Sequence, residues 1–284
     1  MLEKYKPQII SHIQNALRED VGEADHSSLS CIEFGTKDKA KLIAKQDCII
    51  CGIDVAKLVY QIVDNNVKFT ALKKDGDKVK KGEVIFRVEG EAISILTAER
   101  TALNYMQRLS AISTRTNYYQ SIVEGTNVKL LDTRKTTPTM RVLEKYAVKT
   151  GGGTNHRFGL YDMIMLKDNH IDFAGGITQA ITKVRKYLSE RSLDLKIEIE
   201  VRNFLELQEI LERGEVDRIM LDNFSVEDTK KAVEIINHKY EVESSGGINE
   251  TTILDYAKTG VDYISVGSLT HKIDSIDLSL IAEE

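Results

Sequence analysis

The feature that most constrains this chain is a repeat in its second half. Six short apolar runs, "VKLLDT", "DMIMLKD", "KIEIEV", "DRIMLDN", "YEVESS" and "DYISVG", each end in polar residues. Helical stretches such as "NFLELQEILERG" and "SVEDTKKAVEIINH" lie between most of them. Strands rich in Ile, Val, Leu and Met that alternate with helices imply βα units and a parallel sheet. The last three strand ends fall 21 to 23 residues apart, at Asp222, Ser245 and Val266, a tight repeat that suits a barrel. Six strands are fewer than the eight of a closed (β/α)₈ barrel. The pattern therefore predicts an incomplete or variant parallel α/β barrel, with a doubly wound sheet as the competing architecture. In parallel barrels the strands' C-terminal ends build the active site. Here those ends carry Asp132 to Lys135, Lys167 to His170, Glu200, Asp222, Ser245 to Gly247, and Gly267 with Ser268.

The first half reads differently. "KPQIISHIQNALRED" places Ile9, Ile10, Ile13, Ala16 and Leu17 at helical spacing, with Pro7 near the first turn. From 40 to 90 the period shifts toward strands, broken by a helix near 54–65. "VKFTALKKDGDKVKKGEVIFRVEG" reads as extended runs joined through "DGD" and "KKGE", as in an antiparallel unit. A long helix is expected over roughly 93–123. These patterns divide the chain into a smaller N-terminal domain, 1–111, and a barrel-like domain, 112–269. Residues 270–284 are a candidate to pack on the first.

Composition limits the function. A net charge of −5 argues against a general nucleic-acid binder, but leaves room for a local anion pocket. No stretch approaches the roughly 18 apolar residues of a membrane span, and "MLEKYKPQIISHIQ" lacks the apolar core of a signal peptide. A reducing cytoplasm is the expected compartment. Cys48 and Cys51 form a C-x-x-C, yet they sit in an apolar strand-like run with no second ligand pair. Buried small hydrophobes are expected there rather than a zinc or redox site.

The rim residues suggest a chemistry. Arg134, Lys135, His156, Arg157 and Lys167 gather on two neighbouring strand ends. Such density costs several kcal/mol in repulsion unless a multiply charged anion occupies the site. Arginine forks suit carboxylate or phosphate. Glu200 and Asp222 end adjacent strands and could hold Mg²⁺ with substrate phosphates, or simply cap the helices that follow. "ESSGGI" and "SVGS" follow the last two strands, where barrels often bind phosphate through backbone N–H groups and a helix N-terminus. No serine or cysteine is placed as a nucleophile beside a base. A displacement held by electrostatics and positioning fits better.

These segments, "DTRKTTP", "KYAVKTGGGTNHRFGLYDMIMLKDNHI", "IEIEV", "LDNF", "ESSGGI" and "DYISVGSLTHK", resemble the successive motifs of the quinolinate phosphoribosyltransferases. The similarity continues upstream through "LREDVGEADHSS", "KDGDKVKKGEVI" and "LTAERTALNYMQRLSAIST", so it covers nearly the whole chain. The resemblance implies an open α/β sandwich beside the variant barrel, and a homodimer that completes its sites across the interface. It implies transfer of phosphoribosyl from 5-phosphoribosyl 1-diphosphate to quinolinate with decarboxylation. The products are nicotinate mononucleotide, CO₂ and diphosphate, Mg²⁺ is required, and the step belongs to NAD synthesis. By matching motifs, Arg134, His156, Arg157 and Lys167 would hold the quinolinate carboxylates, and Arg100 would reach in from the partner. Lys135, Glu200 and Asp222 would face the donor, the two carboxylates meeting its metal largely through substrate and water, and Thr133 would also bind substrate. Ser245, Gly246, Gly247, Val266, Gly267 and Ser268 would surround phosphate, while Asn169 and His170 shape the rim. Lys135, Lys167, Glu200 and Asp222 are the expected catalytic set.

Two positions depart from the family pattern. Thr139 stands where glycine is common after "DTRKTTP", and Ala24 stands where glycine is usual in "GEADH". Both concern turn geometry rather than charge. Two alternatives remain at this level. A phosphoribosyltransferase for another acceptor (nicotinate, or that of the molybdate-operon paralogue) would leave part of the cationic cluster unpaired. A lipoyl- or biotinyl-type carrier is suggested by "KDGDKVKKGEVIFRVEG", but its only "DKA", at 38–40, precedes the strands it should join.

Overall fold

The structure is a computed structural model that describes residues 2–283. The chain separates into two compact units. One comprises the chain through Asn117, Thr136–Gly152 and the chain from Leu269 on, and the other comprises Tyr118–Lys135 and Gly153–Ser268.

The first unit begins with helix α1 (Lys6–Val21), which carries Pro7 in its first turn and buries Ile9, Ile13 and Leu17. Its apolar residues recur every three to four positions, so one stripe faces the core. Helix α2 (His26–Cys31) is capped by Asp25, whose carboxylate accepts from the Ser28 N–H. Strand β1 (Lys37–Ala44) is followed by β2 (Cys48–Ile49), α3 (Ile53–Val63), β3 (Lys68–Ala71), β4 (Lys78–Val79) and β5 (Val84–Glu91). β5 pairs antiparallel with both β1 and β3. The expected antiparallel unit thus forms between β3 and β5, whereas β4 pairs with β2 instead. Ala40, Leu42 and Ala44 alternate inward on β1, as a half-buried strand requires. Tyr60 of α3 packs on Phe69 and Phe86 with ring centroids 6.0 Å away, and those two rings are 4.4 Å apart. Helix α4 (Ala92–Ile122) is the long helix expected from the sequence.

The second unit holds the repeat. It begins at β6 (Lys129–Leu131), after which helix α5 (Arg141–Thr150) belongs to the first unit. Then follow β7 (Ile164–Leu166), α6 (Asp168–Ala174), α7 (Ile177–Arg191), β8 (Ile197–Val201), α8 (Phe204–Arg213), β9 (Arg218–Asp222), α9 (Val226–Ile236), β10 (Glu241–Ser245), α10 (Ile253–Ala257) and β11 (Tyr263–Ser265). All six sequence runs become strands of one parallel sheet in the order β6-β11-β10-β9-β8-β7. That order follows the chain around a barrel that stays open between β6 and β7. Only a single parallel bridge, Leu131 to Thr154, extends the β6 edge. All five β8 residues are buried, as expected of a strand covered on both faces.

A short helix α11 (Ser268–His271) leads to β12 (Leu278–Ala282), which pairs antiparallel with β1 in the first unit. Glu283 ties this end down through Arg87 at 3.0 Å and Lys41 at 3.4 Å. Among the described residues, no helix is long and apolar enough to cross a membrane.

Candidate active site

The site is assembled at the C-terminal ends of the parallel strands. After β6, the fully buried Asp132 carboxylate accepts from Asn155 Nδ2 at 2.6 Å and from the His156 N–H at 2.9 Å. This carboxylate fixes the "GTNHR" segment beside "DTRK". Lys135 donates its N–H to Thr133 Oγ1 at 3.0 Å, bending the loop, and the Arg134 and Lys135 side chains are exposed. Arg157 is buried and donates from Nη1 to the Met163 carbonyl at 3.1 Å. Burial, and next the Arg134 charge, hold its guanidinium below the usual arginine range, with Glu198 and Asp162 opposing. Arg134 and Arg157 therefore lie close enough to oppose each other's charge.

The next strand ends converge on this cluster. Lys167 follows β7 and reaches Glu200 Oε2 of β8 at 3.3 Å. Burial pushes the Glu200 carboxyl up, Lys167 opposes, and the neighbouring charges of Asp222 and Asp168 raise it further. Asp222 is the last residue of β9. His170 accepts the Lys167 N–H on Nδ1 at 3.1 Å, which steadies the start of α6, while Asn169 is exposed beside it.

The two glycine-bearing turns follow the adjoining strands β10 and β11. Gly246 and Gly247 have φ of 98° and 65°, a left-handed pair that side-chain-bearing residues avoid. A Cβ on Gly246 would also come within 2.6 Å of Asn223 Cγ, whereas one on Gly247 would meet nothing within 4 Å. Val266 donates its N–H to the Leu131 carbonyl at 2.9 Å, joining the β11 end to β6. Tyr119 Oη lies 3.4 Å from Ser268 Oγ and donates to Glu250 at 2.6 Å. The helices after these turns have only five and four residues.

One layer below the rim is a group that sequence reasoning missed. His156 Nε2 lies 3.0 Å from Glu198 and 3.4 Å from Glu243, and Arg218 Nη1 lies 3.1 Å from Glu243. Both carboxylates are fully buried. Burial works against a charged imidazole, while the hydrogen bonds to Glu198 and Glu243 favour holding a proton between the ring and these carboxylates. The Arg157 N–H donates to His156 Nδ1 at 2.6 Å, so that nitrogen accepts and the ring's proton sits on Nε2. The cluster's extra proton belongs on the carboxylate side, where burial and then the Glu243 charge push Glu198 up to about 7. The available signal was period-two alternation: Glu198 and Glu200 share one face of "IEIEV", as Glu241 and Glu243 do in "EVESS".

Arg134, Arg157, Lys167, Glu200 and Asp222 are thus gathered on one rim, and Arg100 is not among them. It lies on α4 in the first compact unit, with its side chain exposed. Cys48 and Cys51 are buried free thiols, and burial raises both, Cys48 to about 11. That suits inert core residues. Thr139 takes the glycine-like conformation, φ 66°, and its hydroxyl donates to the Pro138 carbonyl at 2.6 Å and lies 3.1 Å from His12 Nε2.

An open parallel barrel with clustered cations, paired carboxylates and two glycine turns on one rim defines an enzyme class that handles multiply charged small anions. Comparison with known proteins makes this particular. Residues 25–110 match the quinolinate phosphoribosyl transferase N-terminal domain and residues 112–281 match its C-terminal domain. The chain belongs to the quinolinate phosphoribosyl transferase family. It is 40% identical over 283 residues to quinolinate phosphoribosyltransferase [decarboxylating] 1b of Nicotiana tabacum, covering 94% of this chain and 80% of that protein. It is 41% identical over 263 residues to the probable nicotinate-nucleotide pyrophosphorylase [carboxylating] of Bacillus subtilis, covering 92% of this chain and 89% of that one. The nicotinate-nucleotide pyrophosphorylase of Francisella tularensis superposes with a TM-score of 0.92 at 42% identity, covering 98% of this chain and 96% of its own.

Proposed function

We propose that this enzyme joins quinolinate to 5-phosphoribosyl 1-diphosphate with loss of CO₂, forming nicotinate mononucleotide and diphosphate in de novo NAD synthesis. The observation that carries the reading is the placing of Arg134, Arg157 and Lys167 on the strand-end rim, with Lys167 3.3 Å from Glu200. A dianionic ligand offers these cations carboxylate partners, which arginine forks bind bidentately. Arg134, Arg157 and Lys167 hold the two carboxylates of quinolinate. His156, expected to hold a carboxylate as well, is instead buried with one nitrogen facing the Arg157 N–H and the other facing Glu198, so it seats Arg157 beneath the ligand.

Lys135, Thr133, Glu200 and Asp222 face the phosphoribosyl donor, with Ser245 to Gly247 and Val266 to Ser268 around its 5-phosphate. Glu200 and Asp222 are close enough for one charge to raise the other's pKa, a hard oxygen donor set that fits Mg²⁺. Bound with the donor, the ion would neutralise charge developing on diphosphate. Lys135 adds to that neutralisation, while the rim holds the pyridine nitrogen toward ribose C1 and keeps water away. Once ribosylated, the cationic ring nitrogen stabilises the electron pair left on C2 when the carboxylate departs as CO₂, and a proton from water then completes the C2–H bond of the product.

The protein is a homodimer in this reading, with the exposed Arg100 of α4 reaching the partner's rim. A reducing cytoplasm suits its three free cysteines. The test is product analysis with both substrates and Mg²⁺. Nicotinate mononucleotide, diphosphate and CO₂ should form in equal amounts, and equal turnover of nicotinate would overturn the acceptor assignment. Mixing Arg100→Ala with Lys167→Ala protomers should restore part of the activity each lacks. No recovery would contradict shared sites.

A further inference from the structure

Asn223 follows Asp222 at the end of β9 and has a left-handed backbone, φ 55°. Asparagine tolerates that region better than most side-chain-bearing residues, but glycine tolerates it best. A residue chosen only for the turn would therefore be glycine, and the contacts of the Asn223 amide show what glycine lacks. Nδ2 donates to Asp222 Oδ2 at 2.7 Å. The opposite amide orientation would set two oxygens against each other, so the donor assignment follows from the carboxylate being an acceptor only. The backbone N–H of Asn223 donates to the Ser245 carbonyl at 2.9 Å, and Ser245 is the residue in register with Asp222. The carboxamide also fills the space beside Gly246, where a Cβ would lie 2.6 Å from Cγ and 2.9 Å from the Asn223 nitrogen.

We propose that Asn223 is a positioning residue for the phosphoribosyl donor. Its carboxamide is a spacer that pins one oxygen of Asp222 while packing against the Ser245–Gly247 turn, so the two parts of the donor site keep one separation. This rests on the assignment of Asp222 and of that turn to the donor. With Oδ2 held by the amide, Oδ1 is left to face the ligand, and the glycine pair can approach a phosphate with its backbone. Quinolinate is held elsewhere on the rim, so Asn223 should affect the two substrates unequally.

Two variants separate this role from a purely structural one. Asn223→Gly keeps the left-handed backbone and removes the amide. Asn223→Asp keeps the volume but places a second carboxylate beside Asp222. Calorimetry on the intact protein would measure binding of 5-phosphoribosyl 1-diphosphate with Mg²⁺, and of quinolinate alone, alongside thermal melts. Loss of one hydrogen bond to a charged group corresponds to a donor dissociation constant raised roughly 10- to 100-fold in Asn223→Gly. Asn223→Asp should lose at least as much. Quinolinate affinity should stay within about twofold in either folded variant. Donor binding equal to wild type in either folded variant, or equal weakening of both ligands, would overturn the proposal. Failure of the wild type itself to bind the donor would remove the functional reading beneath it as well.

Discussion

Two layers of the same barrel treat charge in opposite ways. At the rim, Arg134, Lys135 and Lys167 are exposed and Arg157 lies beside Arg134, with Glu200 and Asp222 as the acidic neighbours. One layer deeper, His156 and Arg218 meet Glu198 and Glu243 in a buried cluster whose charges match. In the deep layer the charged groups face one another inside the protein, because a buried charge left without a partner costs several kcal/mol. At the rim Arg134, Lys135 and Lys167 stay exposed, where an anionic ligand can reach them. The deep cluster is therefore read as support for the rim through His156 and Arg157, and the rim as the place of chemistry.

The largest expected effect tests the rim. Arg134→Ala or Lys167→Ala should lower kcat/KM for quinolinate by about 2–5 kcal/mol, roughly 30-fold to several thousandfold. Both side chains are exposed, so denaturant melts of these variants should match the wild type. Near-normal turnover in both would erase the distinction between the layers. The reverse signature is expected below. Glu243→Ala leaves His156 and Arg218 facing one carboxylate fewer in a sealed interior and should cost about 3–5 kcal/mol of stability by urea denaturation. A loss under about 1 kcal/mol would mean the deep cluster is not a unit.

A pH series sharpens the same contrast. Glu198 is carried up from 4.5 to about 7 by burial and the Glu243 charge, and His156, whose Nδ1 accepts the Arg157 N–H, shares that proton rather than holding a second one. The shared proton is bound more tightly folded than unfolded, so its contribution to stability is full at low pH and is lost as pH rises through about 7. Glu243 is shifted the other way, and its contribution is lost only as pH falls below the usual carboxyl range. Wild-type stability should decline between about pH 5 and 7, and the Glu198→Gln curve should be flatter over that range. Parallel curves would refute the shared-proton description. The smallest expected effect lies outside both layers. Thr139→Gly relieves a β-branched residue at φ 66° and should raise stability by about 1 kcal/mol, measured by thermal melts. A destabilised variant would show that the Thr139 hydroxyl contacts outweigh the backbone strain.

Much of the rim was legible in the sequence, because strand ends announce themselves where an apolar run meets polar residues. "DMIMLKD" and "DRIMLDN" place Lys167 and Asp222 in that way, and the parallel sheet then brings Glu200 between them. The deep cluster was not legible. Alternation in "IEIEV" shows that Glu198 and Glu200 share a face, but not which face lines the barrel or that Arg218 and His156 arrive there from other segments. The pairing of Cys48–Ile49 with Lys78–Val79 was hidden for a simpler reason, since two-residue strands are too short to show a period. Asn223 escaped because its role depends on a backbone angle and on the nearness of Gly246, neither of which a motif records.

Acceptor affinity across the rim tests the central claim most directly. Calorimetric titration of wild type, Arg134→Ala and Lys167→Ala with quinolinate and with nicotinate compares a dianion with a monoanion on one ring. Wild type should favour quinolinate by at least roughly tenfold, the worth of one added charge-assisted hydrogen bond. Each variant should lose most of that preference while its nicotinate affinity changes less. Equal affinity for the two acids in the wild type, or a preference that survives in both variants, would contradict the account.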